Sequence, residues 1–489
     1  MIQLRPYQVE SIAQVRAAIA TGKRRIMLTV PTGGGKTFTA ASVIAGALSK
    51  GKRSMFVAHR LELIDQTVRS FARLGITSVG VIRAGDKRRD SSQPIQVASI
   101  QTLARREQQD MDLVIIDEAH RSNSASYTKH LFERHSRAVI LGLSATPCRA
   151  DGKPLGTHFE ELVIGARYSE LIAGGHIVEP HVYSTPVLPD MSSVRTSGGD
   201  YNADDLEEAM NKGALIGDLY QQWSKHPRQR TVVFAVSVAH SKAIVDMFKT
   251  NGVRAEHLDG TTPEVERRAI LARLDSGATE LVSNVGVLCE GWDMPSCKTL
   301  VVARPTKSLS LWMQMAGRIL RPHNGMTPLV LDHGGNVDRH GLPHEDREWS
   351  LSSKPKKGGV VPTKCCPTCF GFVAAGAKVC PLCGHVFETP PDDESKKTEP
   401  VPVDLVLRTM TGDDAKLRFF RKLHKTCRER GWKYGAVIHR YAEKFGESPP
   451  SEWIAALKSD FRNDGEWKDR IKTRQASLER QPATWLGGS

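Results

Sequence analysis

The stretch "TVPTGGGKTFTA" (residues 29–40) runs from an apolar segment through three consecutive glycines into a sequence that favours a helix. The overlapping "RRIMLTV" (24–30) is typical of a buried strand, and "KTFTAASVIAGALSKG" (36–51) predicts the helix. Glycines in such a turn adopt positive φ angles without steric cost, so they can direct backbone N–H groups towards an anion. The helix N-terminus adds a partial positive charge. The stretch therefore predicts a phosphate-binding loop, with an ordinary glycine-rich turn as the alternative.

The loop follows the pattern G-x-x-x-x-G-K-[ST] except at its first glycine. Val30 stands at that position, while Gly35, Lys36 and Thr37 match the pattern. Lys36 is expected to reach the β- and γ-phosphates, and Thr37 to ligate Mg²⁺. The residues expected to contact the nucleotide here are Thr32, Gly33, Gly34, Gly35, Lys36 and Thr37.

Composition limits the class of protein. The 489 residues are enough for about three domains. No apolar run approaches the ~20 residues of a membrane helix. The opening "MIQLRPYQVE" lacks the apolar segment of a signal peptide. We therefore expect no membrane association and a cytoplasmic location.

Charge and cysteine content indicate nucleic acid and metal. Lys and Arg number 68 against 54 Asp and Glu, which gives a net charge of +14. Such a charge is common in proteins that bind a polyanion, although a merely basic surface is the alternative. Five of the nine cysteines fall between Cys365 and Cys383. An odd, clustered set favours a reducing compartment and a metal site over a disulfide scaffold.

Short β-rich runs alternate with helical stretches in two successive parts of the chain. This alternation predicts an α/β protein with parallel sheets covered on both faces. The first part has such runs at 25–30, 54–58, 95–99, 113–117 and 138–143. The second part has them at 231–236, 280–285, 299–303 and 328–332.

Polar segments separate or interrupt these parts. The segment 189–205 is predicted to be a polar insertion or linker, and 352–364 a flexible basic linker. The proline-rich, charged segment 387–403 is predicted to be a second linker. The tail from 404 is predicted to be helical.

The segment "LVIIDEAH" (113–120) places Asp117 and Glu118 at the carboxyl end of an apolar strand. Ligands of open α/β sheets bind outside these strand ends, where the loop at 31–37 would also lie. One carboxylate can hold Mg²⁺ through water, and its neighbour can orient or activate the attacking water. An acidic strand end that caps the next helix is an equally weighted alternative.

The segment "QMAGRILRP" (314–322) carries Gln314, Arg318 and Arg321. The two arginines lie three residues apart, which predicts that they share one helix face. Directed at a γ-phosphate, they would act as arginine fingers. Surface arginines on a helix are the alternative.

The segment "CCPTCFGFVAAGAKVCPLCGH" (365–385) contains two Cys-Pro-x-Cys turns. Two such pairs form a closed tetrahedral site for a structural Zn²⁺, with redox chemistry as the weaker alternative. Cys365 is an alternative ligand to the adjacent Cys366, and His385 is a further candidate ligand. The predicted ligands are Cys366, Cys369, Cys380 and Cys383.

The segment "DAKLRFFRKLHKTCRERGWKYG" (414–435) predicts an amphipathic helix. Its apolar side would carry Leu417, Phe419, Phe420, Leu423 and Cys427, and its basic side Arg418, Arg421, Lys422, Lys425 and Arg428. The basic side suits a phosphate backbone, but a solvated face of a helix packed on its own core is equally consistent.

Taken together, these segments resemble the ordered motifs of superfamily 2 helicases and translocases over residues 4–335. The segment "LRPYQ" (4–8) resembles their adenine-reading segment, which implies nucleotide contacts from Arg5 and Gln8. Motifs I, II and VI correspond to "PTGGGKT" (31–37), "DEAH" (117–120) and "QMAGRILR" (314–321).

The remaining motifs resemble segments that line the nucleic-acid track or couple hydrolysis to movement. The track segments are "VAHRLELIDQ" (57–66) and "ASIQTL" (98–103), and motif IV is "VVFAVSVAHS" (232–241). The segment "LSATP" (143–147) resembles motif III, with Ser144 and Thr146 as coupling residues. The segment "VLCEGWDMP" (287–295) resembles motif V, with Gly291 and Asp293 in matching places.

Within the superfamily, "RPTKSLSLWMQMAGRILRP" followed by "LVLDHGGN" resembles the bacterial RadD-like branch and related phage helicases. The segment 431–453 also resembles the C-termini of phage helicases. His120 and Gln314 stand where DEAD-box RNA helicases carry Asp and His. Type I and type III restriction translocase subunits share this combination, but no nuclease or methyltransferase motif is visible.

The resemblance implies two tandem RecA-like parallel-sheet domains, a small zinc ribbon or knuckle, and a helical C-terminal tail. The expected parts are an ATP-binding domain at 1–165, a helicase C-terminal domain at 166–345 with an insertion or linker near 184–205, a zinc module at 360–388, a linker at 389–403 and a basic helical domain at 404–489.

The resemblance implies a site that binds ATP and Mg²⁺ between the two α/β domains. Residues of the second domain would complete it when the two domains close. Its expected catalytic residues are Lys36, Asp117, Glu118, Gln314, Arg318 and Arg321. Of these, Asp117 would hold Mg²⁺ together with Thr37, and Glu118 would activate water.

The expected activity is that of an ATP-dependent DNA helicase or translocase in repair, recombination or phage replication. Single-stranded or branched DNA is the expected substrate, and a replication or recombination protein is an expected partner through the zinc module or the tail. An RNA-directed ATPase and an ATP-switched DNA-binding recruitment factor that does not unwind are the alternatives.

Overall fold

The computed structural model describes residues 4–59, 61–122, 124–149, 153–185, 188–289, 291–352, 356–357, 363–387, 415–429, 434–445, 448–463 and 469. The chain divides into two compact units, Met1–Phe387 and Glu388–Ser489. The linker predicted at 389–403 lies outside the described residues. Within the described ranges, no helix is long and apolar enough to cross a membrane.

The first sheet of the larger unit contains the five predicted strands and two strands, at 79–82 and 161–164, that were not predicted. Its strands are β1 (Arg25–Thr29), β2 (Ser54–Ala58), β3 (Val79–Ile82), β4 (Ile95–Ser99), β5 (Leu113–Ile116), β6 (Val139–Ser144) and β7 (Glu161–Ile164). They pair in parallel in the order β3-β4-β2-β5-β6-β1-β7. The helices around them are α1 (Pro6–Ala20), α2 (Lys36–Leu48), α3 (Leu61–Arg73), α4 (Ile100–Leu103) and α5 (Ala125–Tyr127), with a 3₁₀ turn at Ala119–Arg121 and a π-helical turn at Thr128–Glu133.

Apolar side chains cover both faces of this sheet. Phe56 and Ile115 lie in one buried cluster with residues of α2 and α3, while their neighbours Met55 and Val114 lie in another with Leu131. Successive residues of a strand point to opposite faces. The central strands are therefore continuously apolar because neither face meets water.

The second sheet lies in the same unit. Its elements are α6 (Tyr168–Ala173), β8 (His181–Tyr183), β9 (Thr196–Ser197), β10 (Asp200–Tyr201), α7 (Ala203–Met210), α8 (Gly213–Ser224), β11 (Thr231–Phe234), α9 (Val238–Thr250), β12 (Ala255–Leu258), α10 (Glu264–Ser276), β13 (Leu281–Asn284), β14 (Thr299–Val302), α11 (Leu309–Ala316), β15 (Leu329–Asp332) and α12 (Asn336–His340). The parallel strand order is β12-β13-β11-β14-β15-β8.

The polar segment at 189–205 has structure of its own. Strands β9 and β10 form a hairpin, and the Asn202 side chain caps α7 by accepting hydrogen bonds from the backbone N–H groups of Asp204 and Asp205. A small core containing Val194 and Leu206 lies beneath. The segment is thus an ordered insertion of the second domain.

Short antiparallel pairs follow the second sheet. These are β16 (Arg347–Glu348) with β17 (Lys356–Lys357), and β18 (Thr363–Cys365) with β19 (Phe372–Ala374). The prediction of a flexible linker at 352–364 is therefore wrong for its residues 356–357 and 363–364, because the backbone pairs there. The module that contains β18 and β19 also pairs with β8, through an antiparallel bridge between Tyr183 and Gly371.

The smaller unit contains α13 (Ala415–Glu429), α14 (Gly435–Phe445) and α15 (Ser451–Asn463). Among its described residues, those of the buried hydrophobic core are Phe420, Cys427, Val437, Tyr441, Trp453 and Leu457. The side chains of Leu417, Arg418, Phe419, Arg421 and Lys422 lie outside the described residues. On the predicted apolar side, Phe420, Leu423 and Cys427 pack into this core, as expected for a helix packed on its own neighbours. Segment 431–453 contributes to the same core through α14 and Trp453.

Candidate active site and metal centre

A cavity of about 600 Å³ is lined by residues of both α/β domains. A larger cavity of about 720 Å³, near the amino ends of β5 and β6, contains none of the predicted site residues. The predicted residues that line the 600 Å³ cavity are Arg5, Gln8, Thr32, Gly33, Gly35, Lys36, Thr37, Asp117, Glu118, Gly291, Asp293, Arg318 and Arg321.

The loop between β1 and α2 has the backbone of an anion cradle. Gly33 and Gly35 have φ angles of +88° and +79°. Helix α2 begins at Lys36 with no side-chain cap, so its first N–H groups face the cavity side without a side-chain acceptor. An anion is the natural partner of such N–H groups. The Lys36 ammonium lies 3.5 Å from the Val30 carbonyl.

The loop accommodates its one departure from the phosphate-binding pattern. Val30 is buried, and a Cβ added at Gly34 would lie 2.5 Å from its Cγ1. The Val30 side chain therefore occupies the space that Gly34 leaves empty. A Cβ at Gly35 would likewise lie 2.5 Å from Nε2 of Gln8. Gly34 is therefore required sterically, whereas at Gly35 the Gln8 side chain could move and the positive φ angle is the stronger reason for a glycine.

The adenine-reading segment is bound directly to this loop. Gln8 accepts from the Arg5 N–H at 2.9 Å, and its amide nitrogen lies 3.4 and 3.3 Å from the carbonyls of Gly34 and Gly35. The Tyr7 hydroxyl donates to the Gly34 carbonyl at 2.8 Å. The amide that was predicted to read adenine thus also fixes the phosphate loop. Sequence reasoning missed Tyr7, whose only signal is its position beside Gln8.

The two carboxylates follow β5 in a strained turn. Glu118 is buried and has the left-handed angles φ 47° and ψ 48°, which cost a non-glycine residue of order 1 kcal/mol. Burial and the neighbouring Glu118 charge raise the pKa of Asp117 to about 6, against the opposing charge of Lys36. The side chain of Glu118 makes no capping bond to the next turn. The alternative of a helix-capping acid is therefore not supported at this position.

Side chains of motif II and motif III meet a serine of the second domain. His120 Nδ1 lies 3.0 Å from Ser144 Oγ, and His120 Nε2 lies 3.3 Å from Ser310 Oγ. Thr146 Oγ1 lies 2.6 Å from the same Ser310 oxygen. All four side chains are buried. Sequence reasoning did not identify Ser310, although it lies one helical turn before Gln314 on α11.

A second contact between the domains involves Gln314 itself. Its amide nitrogen donates to Glu118 Oε2 at 3.3 Å, and the side chain is buried. The predicted catalytic carboxylate and the first residue of motif VI are therefore in direct contact. Gly317 also lies close to the first domain, since a Cβ added there would lie 2.5 Å from Cβ of Thr32.

The arginines line the cavity, but the prediction that they share a helix face is wrong. Helix α11 ends at Ala316, so both arginines lie in the irregular segment that follows. The Arg318 guanidinium donates to the Trp292 carbonyl at 2.8 Å. Arg321 forms an ion pair with Asp293. The motif V residues thus bind the arginines of motif VI.

Gly291 has a φ angle of +73° and lies against the first domain. A Cβ added there would be 3.2 Å from Leu63 of α3. A side chain at this position would therefore press on α3 and strain the backbone as well.

The four predicted cysteines converge on one point. Their sulfur atoms all lie within 4.8 Å of one another, and Cys366–Cys383 and Cys369–Cys380 are 3.7 and 3.8 Å apart. Tetrahedral Zn–S bonds of ~2.3 Å require sulfur separations of about 3.8 Å. The sulfur atoms therefore fit a zinc ion. His385 bonds instead to Thr368, and Cys365 is not part of the cluster.

Electrostatics act unequally on the four thiols, since burial raises the pKa of Cys369 while that of Cys366 is lowered. Against the effect of burial, the backbone N–H groups of Cys369 and Thr368 lower the pKa of Cys366 to about 6. Thiolates are the form that binds zinc.

Two family models match the sequence. Residues 1–149 match "Type III restriction enzyme, res subunit", and residues 211–323 match "Helicase conserved C-terminal domain". The two matches fall on the two α/β domains in turn.

Relatives extend the similarity over most of the chain. A 51.5 kDa protein of a Lactococcus phage is 30% identical over 381 residues, covering 76% of this chain and 80% of that protein. IRC3 of Saccharomyces cerevisiae, named as an ATP-dependent helicase, is 30% identical over 343 residues, covering 66% of this chain. The chain spans half of the length of IRC3.

Solved structures confirm the predicted fold class. A fragment of an HsdR subunit of a type I restriction enzyme from Vibrio vulnificus covers 69% of this chain with a TM-score of 0.53 and 22% identity. The type ISP restriction-modification enzyme LlaBIII, bound to DNA, covers 68% with a TM-score of 0.52 and 18% identity, but only 27% of that enzyme is matched.

Proposed function

We propose that this chain, which belongs to the superfamily 2 helicases and is a helicase-type ATPase, uses ATP hydrolysis to move along or remodel DNA. The observation that carries the proposal is the 600 Å³ cavity, where a phosphate loop and two carboxylates face two arginines of the second domain. The proposed functional division is 1–165 for ATP binding and 166–345 for the second helicase domain.

In this proposal, the first domain binds the nucleotide. Lys36 and the loop N–H groups bind the phosphates, and Arg5 and Gln8 contact the adenine side. Thr37 and Asp117 would hold Mg²⁺, which when bound would neutralise charge on the phosphates. Glu118 orients and deprotonates the attacking water.

The second domain completes the site. Gln314 contacts Glu118, and Arg318 and Arg321 stabilise charge that develops on the γ-phosphate. Asp293 pairs with Arg321 in this structure and would hold its guanidinium group at the cavity. Ser144 and Thr146 couple hydrolysis to domain movement through their contacts with His120 and Ser310.

DNA is proposed as the polyanion. The net charge of +14 suits a phosphate backbone, and one matched fold, LlaBIII, was solved bound to DNA. Single-stranded or branched DNA is the proposed substrate. A RadD-like or phage-related role in repair, recombination or replication follows from the motif resemblance, with a location in a bacterial or phage-infected cell.

The cysteine cluster is proposed to hold one structural Zn²⁺. The sulfur separations match those that a tetrahedral ion requires. The module around it, or the helical tail, would then contact DNA or a replication or recombination protein.

The test is the steady-state ATPase rate alone and with single-stranded, duplex or forked DNA, or RNA, at two salt concentrations. DNA should stimulate the rate more than RNA does, and the stimulation should weaken with salt because phosphate contacts release counterions. Lys36→Ala and Glu118→Gln should each abolish turnover. Near-wild-type turnover in either variant would overturn the site assignment.

The other outcomes separate the alternatives. Stimulation by RNA alone would indicate an RNA-directed ATPase. DNA stimulation without separation of a fluorescent fork would indicate a translocase or a recruitment factor. A rate that ignores every nucleic acid would contradict the proposed function.

A further inference from the structure

Lys298 is a fully buried lysine directly before β14. Its ammonium donates hydrogen bonds to the carbonyl of Ile319, at 3.1 Å, and to the carbonyl of Arg321. Among the residues that the structure describes, no carboxylate pairs with it. A buried charge is costly unless it is paired or fully hydrogen-bonded. Among the described residues, only backbone carbonyls solvate its ammonium, and packing alone does not explain a lysine in this position.

The two carbonyls belong to the segment that carries the arginines. After α11 ends at Ala316, the N–H groups of Arg318 and Ile319 still donate to the carbonyls of Met315 and Ala316 at 3.3 Å, and the segment then leaves the helix. The carbonyls of Ile319 and Arg321 are bound by Lys298, and the Leu320 carbonyl accepts from the Val178 N–H at 2.7 Å. Three successive carbonyls are therefore fixed, two of them by one side chain.

Lys298 is itself fixed in the second sheet. Its backbone N–H donates to the Arg230 carbonyl at 3.1 Å, and its carbonyl accepts from the Leu329 N–H at 2.7 Å. The side chain thus connects the sheet to the arginine segment. Burial lowers the pKa of its ammonium to about 8, as expected for a lysine with no anionic partner.

Apolar packing does not replace this connection. Ile319 and Leu320 are buried, which holds the segment against the domain. Side-chain packing is not directional, whereas hydrogen bonds to successive carbonyls favour a defined direction of each C=O group. The bond to the Arg321 carbonyl restrains the backbone from which the Arg321 side chain extends, and the bond to the Ile319 carbonyl restrains the chain immediately after Arg318.

We propose that Lys298 is a positioning residue for the arginines that complete the ATP site, acting through the carbonyls of Ile319 and Arg321. The inference rests on the proposed function, in which those arginines act on the γ-phosphate. None of the motifs recognised in the sequence includes Lys298.

The first experiment measures ATPase kinetics of Lys298→Met, which keeps the length of the stem and removes the donors. The value of kcat should fall by about 10- to 100-fold, because small misplacements of catalytic groups cost this much. The KM for ATP should change by less than about threefold, since the first domain makes the ground-state contacts. Lys249→Met, at an exposed lysine in α9, is the matched control and should match the wild type.

The second experiment repeats Lys298→Met in an Arg321→Ala background. If Lys298 acts through the arginines, it should add little to the loss that Arg321→Ala already causes. If the two losses in kcat multiply, the inference is wrong, whereas the proposed function is unaffected. An Arg321→Ala enzyme with wild-type kcat would instead contradict the proposed role of that arginine.

Circular dichroism and nucleotide binding check that each variant is folded. Should Lys298→Met fail to fold, the same cycle is run with Lys298→Gln, which keeps one amide donor and is expected to lose less activity. Wild-type kcat in either folded variant would overturn the inference.

Discussion

At the scale of single residues, the polar groups of the candidate active site are bound to one another across the two domains. Glu118 contacts Gln314, and Arg321 pairs with Asp293 within the second domain. A buried polar network rigidifies a site only when its members are satisfied. Removing one member therefore breaks its own hydrogen bond and also leaves its buried partners unsatisfied.

Ser310→Ala tests this network. The substitution removes the hydroxyl that meets Thr146 and His120, so the coupling between the domains should weaken. We expect nucleic-acid-stimulated kcat to fall by about tenfold while basal turnover and the KM for ATP change little. Stopped-flow or steady-state phosphate release measures both rates.

Ser276→Ala, at an exposed serine that ends α10, serves as the control. Equal losses of basal and stimulated rate in Ser310→Ala would contradict a coupling role.

His240 predicts a pH dependence of stability. Burial lowers the pKa of its imidazole to about 4, from an ordinary value near 6.5. As pH falls below about 6.5, His240 takes up a proton in the unfolded chain but stays neutral in the folded protein. The free energy of unfolding therefore decreases as pH falls from about 6.5 to about 4. Between pH 6.5 and 5 the cost is about 1.5 kcal/mol.

The comparison is between the wild type and His240→Asn. The midpoint of thermal unfolding should fall more steeply in the wild type between pH 6.5 and 5. Parallel curves for the two proteins would mean that His240 is protonated in the folded state or does not limit stability.

The site residues that could be predicted are those whose role follows from contiguous sequence. Lys36, Asp117 and Arg318 lie in motifs whose spacing reflects a single turn or strand end. Tyr7 and Lys298 act through contacts between distant segments, which a single sequence does not reveal. The break in α11 was missed for the same reason, because hydrogen bonds from outside the helix hold the segment that follows.

At the scale of elements, central strands were predictable and edge strands were not. The strands that sequence reasoning missed include β3 and β7 at the edges of the first sheet and β8 and β12 at the edges of the second. Edge strands are short and partly exposed, so their apolar pattern is weak. The strand β12, "AEHL", carries two polar residues among four.

The cysteine module is expected to depend on a bound metal for its folding. Removal of metal should unfold it, because its buried residues are few and centre on Cys366, Val373 and Cys380. We expect about one zinc per chain by elemental analysis. Chelation should lower the melting temperature by several degrees.

Cys380→Ser should reproduce the effect of chelation. Cys365→Ser is a matched control, since this exposed cysteine lies beside a ligand but outside the cluster. Loss of zinc in Cys365→Ser, or retention of zinc in Cys380→Ser, would refute the assignment of ligands.

At the scale of the whole molecule, the chain consists of two units with separate cores. The larger contains both sheets and the cysteine module, and the smaller has its own buried aromatic cluster around Tyr441 and Trp453. Units with separate cores can in general fold independently. The composition change after residue 387 made this division visible in the sequence.

Truncation after residue 387 tests that independence. The residues that line the 600 Å³ cavity all precede this point, so basal ATPase kcat should stay within about twofold of the full chain. Affinity for DNA, measured by fluorescence anisotropy, should fall if the basic tail contacts phosphates. Loss of basal ATPase in a folded truncated protein would show that the tail contributes to the site.

The bridge between Tyr183 and Gly371 also affects the tendency of the protein to aggregate. The Ser184 N–H also donates to the Phe370 carbonyl at 2.8 Å, so the cysteine module satisfies backbone groups along the outer side of β8. An uncovered sheet edge offers those groups to other chains and invites aggregation. A zinc ion in the proposed site would thereby also protect this edge, and its removal would favour association between molecules as well as unfolding of the module.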